Sequence, residues 1–70
     1  MFREPVVSSS IASIGFEVDT ETLEVEFVTG SVYRYRGVEE DVYEKFLAAP
    51  SKGSFFNEHI KDAYPCEWVE

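Results

Sequence analysis

The sequence predicts an α+β domain: a three-stranded antiparallel meander followed by two C-terminal helices packed on one of its faces, in the order βββαα. Three observations carry this. Residues 11–36 hold three consecutive stretches in which apolar and polar side chains alternate, the period of a half-buried strand. Residues 39–60 hold two stretches with apolar residues at helical spacing. Strands grouped before helices favour an antiparallel sheet with its helices on one side.

Residues 1–10 read as a lead-in, because Pro5 and Ser8-Ser9-Ser10 argue against a regular helix. In the first strand Ile14, Phe16 and Val18 alternate with Gly15 and Glu17. In the second, Leu23, Val25 and Phe27 alternate with Glu24 and Glu26, after the turn-forming run Asp19-Thr20-Glu21-Thr22. In the third, Tyr33 and Tyr35 alternate with Arg34 and Arg36. A three-residue loop holding Gly30 would set Val28 opposite Val32. Phe27 then faces Tyr33, Val25 faces Tyr35, and the outer face pairs Glu26 with Arg34 and Glu24 with Arg36. That register gives an apolar inner face and opposite charges outside.

Residues 39–48 read as the first helix. Glu39, Glu40 and Asp41 complement the dipole at its start, and Val42, Tyr43, Phe46 and Leu47 share one face. Pro50 ends it. Ser51 is a good N-cap for a second helix, whose apolar stripe is Phe55, Phe56, His59 and Ile60, and which should stop before Pro65. Trp68 and Val69 are too apolar for a free tail; they pack back on the sheet edge or onto another copy.

Seventy residues make one domain, 1–70, with a core of about 6–65. So short a chain buries only about 60% of its unfolded surface; six Phe, four Tyr and one Trp offset this with large buried rings. Fourteen acids against six bases give a formal charge of −8, which repels a polyanion unless the bases cluster and suits a basic partner. Cys66 is the only cysteine, so no intramolecular disulfide or Cys-pair metal site is expected, and a lone thiol fits a reducing, cytoplasmic setting. No apolar run has the length of a membrane helix, and no signal peptide opens the chain. The acids show no EF-hand spacing. No metal or cofactor is expected.

The motifs resemble those of the KTSC domain family over roughly residues 6 to 65. The resemblance rests on Ser9, Ile14-Gly15-Phe16, Leu23-x-Val25-x-Phe27, Tyr33-Arg34-Tyr35, Val38, Val42, Phe46, Ser51-Lys52-Gly53-Ser54-Phe55-Phe56-Asn57, Ile60 and Tyr64-Pro65. It implies a small domain that occurs alone in bacterial and phage proteins and at the C-terminus of some lysyl-tRNA synthetases. RNA binding is the role suggested for that family, and it supplies no catalytic residue.

Two constellations are candidate contacts for an anion or RNA: Ser51, Lys52, Gly53 and Ser54 at a helix start, where free N–H groups gather, and Arg34 with Arg36 beside the tyrosines. Alternation sets Tyr33 and Tyr35 on the opposite face from the arginines, so these tyrosines, like Phe56 and Asn57, read as structural members of the family motif. His59 reads as a half-buried structural imidazole rather than a general base. The expected function is a non-enzymatic binding module with an unknown macromolecular partner, protein favoured over RNA, no membrane, and a monomeric or weakly dimeric state. An RNA-binding accessory domain is the alternative, and a small hydrolase using His59 the outsider.

Overall fold

The computed structural model describes all 70 residues, and the fold is α+β. The elements run β1 (Glu4–Pro5), β2 (Ile11–Glu17), β3 (Thr22–Phe27), β4 (Val32–Arg36), α1 (Glu40–Ala48), α2 (Lys52–His59) and β5 (Cys66–Trp68). All five strands join one antiparallel sheet in sequence order. The expected three strands are thus corrected to five. The two additional strands are edges of two and three residues, exposed along their length. They are too short to show alternation, and Pro5 is tolerated because an edge residue need not donate to a ladder.

The register between β3 and β4 is also corrected. Val25 faces Tyr33, Leu23 faces Tyr35, Glu24 faces Arg34 and Thr22 faces Arg36, a displacement of two residues from the expected pairing. The cause lies in the turn. Phe27 N–H donates to the Ser31 carbonyl at 2.9 Å and Gly30 N–H to the Phe27 carbonyl at 2.9 Å, so the loop is residues 28–30, not 29–31. Gly30 has φ of +97°, and a three-residue hairpin loop of this kind places its left-handed residue last. Because the slip is even, every side chain keeps its face.

On β2, Ile11 pairs with Phe27 and Ser13 with Glu26, so Ala12 is an extra, bulged residue. The bulge turns both Ile11 and Ile14 into the core, where they meet Leu23, Val25, Tyr35 and Val38. The helices close this face. Phe46 of α1 is fully buried and stacks on Phe55 at 5.5 Å between centroids. Phe56 of α2 meets Phe27 and Tyr35 edge-on at 5.3 and 5.5 Å. Tyr43 stacks on Phe16 at 4.8 Å.

His59 is exposed, not half-buried, and its ring lies against Phe55 at 4.6 Å. Phe56 and Ile60, four apart, point inward; Phe55 and His59 form the neighbouring row on the flank of α2.

The other face of the sheet carries the charges. Arg34 Nε donates to Glu24 Oε1 at 2.7 Å, Ser13 Oγ donates to Glu26 Oε1 at 2.6 Å, and Arg36 pairs with Glu67 of β5. These replace the expected Glu26–Arg34 and Glu24–Arg36 pairs. Residues 1–3 cross this face as a strap. Arg3 pairs with Glu24 and lies 3.9 Å from both Glu26 and Glu70. The strap passes over Gly15, where a Cβ would sit 2.5 Å from the Phe2 carbonyl oxygen.

An aromatic groove between β4 and α2

The helices leave one end of the apolar face uncovered, and a shallow groove of about 340 Å³ lies there. Its floor is Phe27, Tyr33 and Tyr35. Tyr33 and Phe27 are half-buried and meet edge-on at 6.0 Å. Tyr35 is 4% exposed; burial, with smaller contributions from Cys66 and Tyr33, pushes its phenol up to about 12.

The wall is α2 and the turn after it, through Phe56, Asn57 and Lys61. Asn57 and Lys61 are four residues apart, so both reach the same side. The groove is closed at one end by Ser10 and Gly53. A Cβ at Gly53 would lie 2.9 Å from Ser10 Oγ, so glycine lets the start of α2 dock against the Ser8–Ser10 turn. In that turn Ser8 Oγ accepts from the N–H groups of Ser10 and Ile11, both at 3.2 Å.

The expected anion contacts do not form one site. Arg34 and Arg36 are on the charged face, engaged by Glu24 and Glu67. Ser51, Lys52, Gly53 and Ser54 open α2 on the opposite side of the sheet. There Ser51 Oγ accepts from the Ser54 N–H at 3.3 Å, and Lys52 Nζ donates to the Ala49 carbonyl at 2.7 Å. Only Gly53 of the six lines the groove. Of the six bases, Arg3, Arg34, Arg36 and Lys45 have carboxylate partners and Lys52 serves a backbone carbonyl. Lys61 remains, in the groove.

Of the motif residues, Tyr33, Tyr35, Phe56 and Asn57 all come together in this groove. Ser10, Phe27 and Lys61 join them, and sequence reasoning did not single these out as site residues. The i, i+4 spacing of Asn57 and Lys61 was a usable signal; the arrival of Ser10 beside Gly53 was not, since it is a long-range contact. Trp68 flanks the groove: it is the cross-strand partner of the floor residue Tyr33 and is 68% exposed.

These features define a small α+β domain with charges tied internally on one face of its sheet and an aromatic groove on the other. A family model described as the KTSC domain matches residues 7–64, and the chain belongs to that family. It is 41% identical to a KTSC domain protein from Yersinia pestis, whose crystal structure superposes with a TM-score of 0.94 over 99% of this chain and 97% of that one. It is 38% identical to an uncharacterized protein of Stutzerimonas stutzeri, over 97% of this chain and 96% of that protein. A lysine–tRNA ligase of Nostoc punctiforme is 44% identical over 84% of this chain, a stretch making up 10% of the ligase. The family therefore occurs both as a stand-alone domain and as a small part of a tRNA ligase. No helix is long and apolar enough to cross a membrane.

Proposed function

We propose that this domain is a non-enzymatic binding module that contacts a protein partner through the groove between β4 and α2. The observation that carries this reading is the groove itself, aromatic-floored and flanked across the sheet by the exposed Trp68, on a chain of charge −8 whose bases are otherwise engaged. Apolar rings beside a few unengaged polar ends are the usual composition of a recognition patch. A single available cation is poor equipment for holding a phosphate backbone.

The test compares the wild-type domain with Asn57→Ala and Lys61→Glu as baits in lysate of the native host. Both positions are exposed, so the fold tolerates the changes. A protein retained by wild type, insensitive to ribonuclease and lost from both variants is the expected result.

A second reading, an RNA-binding accessory domain, is favoured by one observation: the relatives that are tRNA ligases. In that case unpaired bases would stack on Tyr33 and Trp68. Ribonuclease would then strip the retained material. With Lys61 as the one contributing base, the salt dependence would be shallow, a slope of about −0.7 in log–log form.

A further inference from the structure

We propose that the open edge of β5 is a docking strand, taking an extended, basic segment of a protein partner as a sixth strand of the sheet. This rests on the groove contacting protein, and it names the backbone that holds that partner and the charge it carries.

The ladder decides which peptide groups are free. Arg36 N–H donates to the Pro65 carbonyl at 3.0 Å, and Val69 N–H to the Val32 carbonyl at 2.7 Å. The odd-numbered residues of the segment thus turn their backbone toward β4, and the N–H and C=O groups of Cys66 and Trp68 face the open edge. The opposite edge is blunted: β1 has two residues and ends in proline. β5 is short too, at three residues, but it carries no proline, lysine or bulge, the other devices that discourage strand addition.

The side chains favour the same event. Cys66 and Trp68 lie opposite Tyr35 and Tyr33, so they stand on the groove's side of the sheet. An added strand would place alternate side chains beside the exposed indole, on sheet surface that neither helix covers. The charge of the partner follows from the chain's formal −8: along residues 62–70 the acids Asp62, Glu67 and Glu70 outnumber the bases that reach them, Arg36 at Glu67 and Arg3 at Glu70. A second copy is the poorer occupant, because two β5 edges would bring like carboxylates together on chains of charge −8.

The experiment is amide hydrogen exchange of the intact domain, with a short synthetic peptide alternating lysine and valine as the probe. At about ten times its Kd the peptide should slow exchange at Cys66 and Trp68 about tenfold, since only the unbound fraction exchanges. The same peptide N-methylated along its pairing edge, and one with glutamate for lysine, should leave both amides unchanged. Signals at Tyr33, Asn57 and Lys61 that shift without slowing at Cys66 and Trp68 would overturn the strand-addition inference while leaving the groove reading intact. Slowing that grows with protein concentration alone would overturn it in favour of a second copy. Slowing by single-stranded RNA but not by the basic peptide, or no response to any peptide, would also overturn it.

Discussion

Arg34 donates its Nε–H to Glu24 at 2.7 Å across β3 and β4, and Arg3 reaches the same carboxylate from the strap. Glu24 is 2% exposed, so a buried anion is held between two cations.

Burial alone would raise the Glu24 carboxyl, but the hydrogen bonds and charge of Arg34 and Arg3 outweigh it and hold the group below its ordinary 4.5. A depressed carboxylate stabilises the fold fully above the unfolded value, and that contribution is lost as pH falls through the folded one. Acid unfolding should therefore draw on this cluster. Glu24→Gln should cost about 1.5 kcal/mol near neutral pH, the low end for hydrogen bonds to charged groups because both guanidiniums reach solvent. Its stability should also fall less steeply below pH ~4.5 than that of wild type. Parallel slopes in urea titrations across acid pH would show that Glu24 is not the group responsible.

Gly15→Ala should lift the strap. The new methyl meets a backbone oxygen, which cannot rotate away as a side chain would. We expect a loss of about 1–3 kcal/mol, the usual range for overpacking, with amide chemical-shift changes at residues 1–4 and at Glu24, the carboxylate that Arg3 holds. Unchanged shifts at residues 1–4 would mean that the strap does not rest on Gly15.

Phe46→Ala empties the centre of the core and should cost ~3–5 kcal/mol. At about 4–8 °C per kcal/mol for a domain this size, the melting temperature should fall by at least about 12 °C. A shift of a degree or two would remove Phe46 from the core.

Tyr35 contributes to the alkaline limit, together with Tyr43, whose phenol is also raised by burial. The Tyr35 phenol ionises near 12 in the fold against 10.0 ordinarily, so the folded state prefers the protonated form. That preference is complete below the unfolded value and is lost as pH rises through the folded one. Ultraviolet absorbance should show one tyrosine titrating near 12 in wild type and missing in Tyr35→Phe. Retention of that step in the variant would assign it elsewhere.

Much of this organisation was readable in the chain. Alternation put Tyr33 and Tyr35 on the core face and Arg34 and Arg36 on the charged one, and both assignments hold because a two-residue slip preserves parity. The slip itself was avoidable: Gly30 belongs at the last position of its loop, which fixes residues 28–30 as the turn. By contrast, β1 and β5 exist only because longer strands offer them an edge, and nothing local marks two or three residues as a strand. The outward turn of His59 was hidden for a similar reason. Spacing puts it next to the Phe56–Ile60 row, but only docking decides how far α2 rolls. The groove combined both situations: Tyr33, Phe56 and Asn57 stood out in the sequence and Lys61 follows Asn57 by helical spacing, while Ser10 reaches them only through tertiary contact.

Arg3 has one more partner, Glu70, at 3.9 Å. β1 and β5 are opposite edges of the sheet, yet the strap brings the first and last residues to the same side of it. Arg3 and Glu70 meet through their side chains on the charged face, while Met1 lies farther along it, beside Glu17 and Arg36. A flexible linker from residue 70 to residue 1 along this face would close the chain into a circle without crossing the groove. The exposed turn at residues 28–30 would then be the place to cut it open, giving a permuted chain of unchanged layout. The same arrangement suits insertion into a surface loop of a larger protein, since entry and exit both lie on the face away from the groove and a host joined there leaves the groove open.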